Sequence, residues 1–101
     1  MSAFAVKLTP RARQEILRAV ASWRERTAEP RVLDEDLEEA LRTLASHPEI
    51  GAPHPGTKDP GVRRWLLPRA QLHAYYRVLT TERVVRVLSF WSTARRRGPR
   101  L

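Results

Sequence analysis

Apolar positions near the start of the chain change from a two-residue to a helical spacing. Residues 4–8 alternate in the manner of a short strand. Thr9 and Pro10 then predict a helix start, because a threonine oxygen can accept from free amides and proline at the first helical position loses no useful donor. The helix is predicted to run to about Thr27. Its apolar face consists of Ala12, Ile16, Ala19, Val20 and Trp23.

A second apolar stripe predicts a second helix after Pro30. Glu29 and Pro30 interrupt the pattern, because the residue before a proline disfavours helical geometry. The acidic positions 34–36 are expected in the first turn, where the helix dipole favours negative charge. His47 and Pro48 end the stripe, so the two helices are predicted to form a hairpin. The second stripe consists of Leu33, Leu37, Ala40, Leu41 and Leu44.

Residues 48–61 contain four prolines and three glycines. So many breakers predict a loop without any regular element. Its length is near the upper limit of ordinary connections, which makes a functional role worth considering.

Three strand-like runs follow, at residues 62–67, 72–79 and 84–91, and short turns join them. In the middle run, alternation predicts one core face and one face with polar chemistry. The core face would contain Leu72, Ala74, Tyr76 and Val78, and the other face His73, Tyr75 and Arg77.

Both faces of the last run are substantially apolar. Val85, Val87, Ser89 and Trp91 alternate with Val84, Arg86, Leu88 and Phe90. This pattern predicts either a central strand or a second surface covered by a partner. Trp91 is predicted to lie in the core.

The order of elements predicts an α+β fold, β-α-α-β-β-β, in which the helical hairpin packs on one face of a small, mainly antiparallel sheet. Residues 1–101 are expected to form a single domain, with a basic C-terminal tail at 93–101. No transmembrane helix or signal peptide is visible, and we expect a cytoplasmic protein without a membrane partner. The absence of cysteine excludes disulfides and thiolate metal sites, and the three histidines lack ligand-like spacing. We expect neither a metal nor a cofactor.

Positive charge is concentrated at the end of the chain. Residues 61–101 contain ten arginines and one acidic residue, Glu82, whereas residues 31–60 are net acidic. This layout indicates a surface for an anionic partner. The simpler alternative is a solvated basic surface.

Several short motifs, in this order and spacing, resemble the RelE/ParE superfamily of type II toxin-antitoxin toxins over nearly the whole chain. The similar segments are Val6-Lys-Leu-Thr-Pro, Ala12 with Ile16, Ala40-Leu41 with Leu44, Pro48-Glu-Ile-Gly51, Val62-Arg-Arg64, Tyr75-Tyr-Arg-Val78, Trp91 with Arg95-Arg96, and Pro99 with Leu101.

The resemblance implies a small toxin neutralised by a cognate antitoxin from an adjacent gene, with operator DNA contacted only through that antitoxin. RelE-like members cut messenger RNA on the ribosome without a metal, whereas ParE-like members poison DNA gyrase. Ser92 stands where the RNA-cleaving members frequently have a histidine, and the chain has only two lysines. Both features favour gyrase. A ribonuclease, and a degenerate member that only binds antitoxin and operator, stay open.

Candidate residues differ between these hypotheses. A ribonuclease would use His73 or Tyr75 for proton transfer, with Arg64, Arg77 and Arg95 on the phosphate. The residues expected to contact nucleic acid or the target are Arg63, Arg64, Arg86, Arg95, Arg96 and Arg97, although the last three are also compatible with a mobile tail. Leu88 and Phe90 are the expected antitoxin contacts.

Overall fold

The computed structural model describes residues 3–54 and 58–101, and its elements follow the predicted order with one addition. The elements are β1 (Ala5–Leu8), α1 (Pro10–Arg26), α2 (Arg31–Ser46), β2 (Ala52–Pro53), β3 (Arg63–Leu67), β4 (Leu72–Leu79) and β5 (Val84–Ser92). Neither helix in the described ranges is long and apolar enough to cross a membrane.

The five strands of the described ranges form one sheet with the order β1-β5-β4-β3-β2. β1 pairs parallel with β5, and the other neighbours are antiparallel. α1 packs against β5, while α2 packs against β3 and β1. The predicted α+β fold is confirmed, and of the two explanations offered for the last run the structure shows a strand with a neighbour on each side. β5 is apolar on both faces because it lies between β1 and β4.

The prediction that residues 48–61 contain no regular element is wrong at β2. Ala52 pairs with Arg64, and Pro53 pairs with Arg63, at the edge of the sheet. An edge strand tolerates proline because only one of its sides needs to donate hydrogen bonds. Residues 55–57 of the predicted loop lie outside the described residues.

The strict alternation predicted for the last two strands is interrupted by a bulge. Tyr75 pairs with Ser89, but the next residue, Tyr76, pairs with Val87, so Leu88 is an extra residue on β5. A bulge shifts every following side chain of its strand relative to the simple two-residue period.

This shift changes which aromatic residues enter the core. Ala74, Tyr75 and Tyr76 are buried in succession on β4. On β5, Phe90 joins the core cluster, whereas Trp91 is only partly buried. The prediction that Trp91 is a core residue is therefore wrong, because it assumed an uninterrupted alternation.

Thr9 connects the start of α1 to the bulge. Its Oγ1 accepts a hydrogen bond from the amide of Ala12 at 3.1 Å, which confirms the predicted helix cap. The same hydroxyl donates to the carbonyl of Leu88 at 3.2 Å. One side chain therefore satisfies a free helix amide and a carbonyl of the extra residue.

Asp36 has a different role from the one expected for an acidic residue in the first helical turn. It is 4% exposed, and its carboxylate accepts from Arg69 Nε at 3.1 Å and from the amide of Ala70 at 2.8 Å. These bonds fasten α2 to the turn between β3 and β4. Arg69 also pairs with Glu35 at 3.7 Å.

Tyr76 is completely buried, and its hydroxyl accepts a hydrogen bond from the amide of Gly51 at 2.8 Å. The prediction that Tyr76 lies on the core face is confirmed. Burial raises the pKa of Tyr76, so its hydroxyl group keeps its proton. A Cβ on Gly51 would lie 2.5 Å from that hydroxyl oxygen and 2.7 Å from the carbonyl oxygen of Arg64.

We expect Gly51→Ala to lower the free energy of unfolding by about 1–3 kcal/mol, because the added methyl group overpacks a buried site. Urea unfolding followed by tryptophan fluorescence measures the change. Gly98→Ala is the matched control, since its nearest neighbours would lie at 3.5 Å, an ordinary contact. An unchanged midpoint for Gly51→Ala would contradict the close packing described for this site.

We expect Asp36→Ala to lower the free energy of unfolding by about 1–3 kcal/mol, because the amide of Ala70 loses its acceptor. Asp36→Asn should lower the free energy of unfolding by less, since an amide oxygen can still accept the hydrogen bond from Ala70. Glu38→Ala, at an exposed position of the same helix, is the control and should change stability little. Equal effects of Asp36→Ala and Glu38→Ala would contradict the proposed fastening of α2.

Candidate functional site

Two histidines from different segments meet at Tyr75. The His54 ring centroid lies 4.8 Å from that of Tyr75, and the His73 centroid lies 6.0 Å from it, both in edge-to-face arrangements. The amide of His54 donates to the carbonyl of Val62 at 2.9 Å, which holds the residue beside the sheet after β2. We call His54, His73, Tyr75 and Arg64 the histidine cluster.

Both histidines of the histidine cluster favour the neutral state. Burial lowers the pKa of His54, and the positive charge of Arg64 lowers it further. Burial, Arg64 and His54 together lower the pKa of His73. A neutral imidazole near pH 7 can accept a proton or a hydrogen bond.

The C-terminal tail lies over this cluster. Pro99 is buried, and a Cβ on Gly98 would lie 3.5 Å both from His54 Cε1 and from the hydroxyl oxygen of Tyr75. Tyr75 is only 2% exposed. A base or a partner side chain can stack on Tyr75 only after the tail has moved. The role of Tyr75 therefore stays a prediction.

Specific contacts hold the tail in place. The Trp91 indole N–H donates to the carbonyl of Arg97 at 2.6 Å, and the guanidinium of Arg95 lies 4.0 Å from the centre of the Trp91 ring. Arg11 of α1 donates to the carbonyl of Arg100. The alternative of a tail without fixed contacts does not fit these bonds.

The arginines predicted as binding residues fall into different environments. Arg63 donates through Nη1 to the carbonyls of Glu49 at 3.1 Å and Gly51 at 2.8 Å, so it holds the segment before β2. Arg77 Nε forms an ion pair with Asp59 at 3.0 Å. Arg64, Arg86, Arg95, Arg96 and Arg97 are exposed.

The structure brings some of the candidate catalytic residues together. His73 and Tyr75 are neighbours, and Arg64 is the predicted arginine whose charge acts on His73, whereas Arg77 pairs with Asp59. Their catalytic roles stay predictions. Sequence reasoning missed His54, which lies in the proline-rich segment and reaches Tyr75 only through strand pairing. No local sequence signal marks this contact, because it depends on the pairing of β2, β3 and β4.

The expected antitoxin contacts are less accessible than predicted. Phe90 is 4% exposed and belongs to the core, and Leu88 is partly buried at the bulge. The chain itself covers most of the apolar surface expected at these two residues. Their contact with an antitoxin stays a prediction.

Known structures resemble this chain closely in fold. A toxin-antitoxin ParDE structure from P. aeruginosa aligns with a TM-score of 0.67 and 22% sequence identity, covering 88% of this chain and 95% of that chain. The RelBE2 complex from Mycobacterium tuberculosis also gives 0.67 at 22% identity, over 94% of this chain and 97% of that chain. The E. coli RelBE complex aligns with a TM-score of 0.62 and 22% sequence identity, covering 92% of this chain and 100% of that chain.

No curated protein matches the chain. A family model does match, and it covers residues 6–97, from β1 into the C-terminal tail. Its description is ParE toxin of the type II toxin-antitoxin system parDE. Because the match covers most of the chain, the chain belongs to the ParE family of type II toxin-antitoxin toxins.

Proposed function

We propose that this protein is a growth-inhibiting toxin that acts on DNA gyrase through protein contact. The observation that supports this most is the closed histidine cluster, where the tail residue Gly98 lies against His54 and Tyr75. A nuclease needs its proton-transfer groups in contact with the RNA, whereas a toxin that acts by contact needs only an ordered surface. Ser92 stands where the RNA-cleaving relatives frequently have a histidine, which also favours a toxin that acts by contact.

The C-terminal tail is the surface proposed for the gyrase contact. Arg96 and Arg97 are exposed, while Pro99 is buried and Arg100 is held by Arg11. The two exposed guanidinium groups therefore project from a segment that is anchored on both sides. Such ordering reduces the entropy lost when a partner binds.

A cognate antitoxin, encoded by an adjacent gene, is the proposed neutralising partner. The matching structures from M. tuberculosis and E. coli are toxin-antitoxin complexes. An acidic antitoxin segment would complement the formal net charge of +8 on this chain. Contact with operator DNA would occur through the antitoxin, and both proteins would act in the cytoplasm.

A metal-independent, ribosome-dependent ribonuclease is the second candidate, and the histidine cluster favours it. In that case neutral His73 or His54 would accept the proton of the 2′-hydroxyl, and Arg64 would stabilise negative charge on the phosphorane. The tail would have to leave Tyr75 first. A third candidate, a degenerate member that binds only antitoxin and operator, is tested by whether induced expression arrests growth.

We expect the purified protein to inhibit DNA supercoiling by gyrase. Arg96→Glu/Arg97→Glu should weaken inhibition at least about tenfold, because charge reversal at an interface adds repulsion to the lost attraction. Arg13→Glu/Arg42→Glu reverses two exposed charges on the helices and is the matched control. Full supercoiling at all toxin concentrations would contradict the gyrase proposal.

We expect primer extension on translated messenger RNA to show no cleavage at the ribosomal A site. His73→Ala and His54→Ala should then leave growth arrest unchanged, provided that circular dichroism shows intact folding. Cleavage that disappears in either variant, together with undisturbed supercoiling, would replace the gyrase proposal by the ribonuclease. Growth arrest without either effect would exclude both targets.

A further inference from the structure

A groove of about 810 Å³ lies between α1 and the end of the sheet where β4 begins and β5 ends. Arg18, Trp23 and Arg26 line it from α1. Trp91 and Arg95 line it from the end of β5 and the tail. None of the four residues of the histidine cluster lines it.

The groove is strongly cationic. Arg69 also lines it, but the carboxylates of Asp36 and Glu35 neutralise that residue. Within the described ranges, Arg18, Arg26 and Arg95 have no carboxylate within ion-pair distance. Three guanidinium groups around one concave surface attract an anionic ligand.

Among the described residues, Glu15 is the acidic residue that lines the groove, and the protein itself already engages it. Glu15 Oε1 accepts from Ser89 Oγ at 2.8 Å and from the amide of Phe90 at 3.2 Å. Its other carboxylate oxygen lies 3.5 Å from Arg11 Nε. The carboxylate therefore belongs to the scaffold, and the net charge presented to a ligand stays positive.

The tryptophans indicate which anion fits. The indole N–H of Trp23 donates to the carbonyl of Glu29 at 3.0 Å, and that of Trp91 donates to Arg97. Both donors are therefore used internally, and the guanidinium of Arg95 covers one face of Trp91. Trp23 is the ring that offers a ligand an apolar face. An acidic peptide would use the arginines, whereas a nucleic acid strand uses cations for its phosphates and aromatic faces for its bases.

We propose that this groove binds single-stranded nucleic acid. The phosphates contact Arg18, Arg26 and Arg95, and a base stacks on Trp23. The contact requires no cleavage chemistry, so it does not depend on a choice between gyrase and messenger RNA as the target.

The test is fluorescence anisotropy of the full chain with a labelled single-stranded DNA or RNA about 12 nucleotides long. Arg18→Gln/Arg26→Gln should weaken binding by about 10- to 100-fold at low salt. It should also reduce the slope of log K against log salt by about 1.4, since each phosphate contact contributes about 0.7 on a single strand. Arg13→Gln/Arg42→Gln, outside the groove, removes the same charge and should retain most of the affinity.

Trp23 supplies a second, independent measurement. Trp23→Leu should weaken binding by about tenfold, whereas Trp23→Phe, which keeps an aromatic face, should bind nearly as the wild type does. Because Trp23 also packs against the core, thermal unfolding checks both variants. If Trp23→Leu does not fold, the arginine variants decide the question alone, since their side chains are exposed.

Three outcomes would overturn the proposal. Equal losses in the groove and control arginine variants would indicate nonspecific attraction to the basic surface. A folded Trp23→Leu variant with wild-type affinity would show that no base stacks on Trp23. The third outcome has two parts. An acidic, leucine-containing peptide would bind the groove, and the groove variants would bind the single-stranded nucleic acid as tightly as the wild type does. The ligand of the groove would then be a polypeptide.

Discussion

The bulge at Leu88 determines how the helical layer and the sheet fit together. Its carbonyl accepts a hydrogen bond from Thr9, and the neighbouring amide of Phe90 donates to Glu15. Both partners belong to the beginning of the chain, at the N-cap and within α1. Buried backbone groups need such partners, since leaving one unsatisfied costs about 1–3 kcal/mol. The side chains of Thr9 and Glu15 thus allow β5 to change register while α1 stays packed on it.

The register change places two neighbouring aromatic residues in different environments. Phe90 enters the core, while Trp91 faces the tail and holds it through Arg97 and Arg95. The tail in turn covers Tyr75. A local irregularity in one strand therefore decides both the closure of the histidine cluster and the position of the C-terminal arginines.

The chain uses its many arginines in distinct ways. Arg63 stabilises the fold by donating to backbone carbonyl groups. Arg69 does so by donating to the buried carboxylate of Asp36. Burial is the main cause of the lowered pKa of His54 and His73, and the charge of Arg64 lowers both further. Among the described residues, Arg18 and Arg26 of the groove and Arg96 and Arg97 of the tail form no ion pair with a carboxylate. The total charge of the sequence is therefore a poor guide to where a partner binds.

Periodicity alone determined the helices, the three long strands and the core position of Tyr76, because local spacing is sufficient to mark one buried face. Motif order was also enough to indicate the superfamily. Only the tertiary structure decided that Ala52–Pro53 forms an edge strand and that His54 meets Tyr75. The bulge and the packed tail likewise arise from contacts between segments far apart in the chain. Such contacts depend on strand pairing, which leaves no local pattern in the sequence.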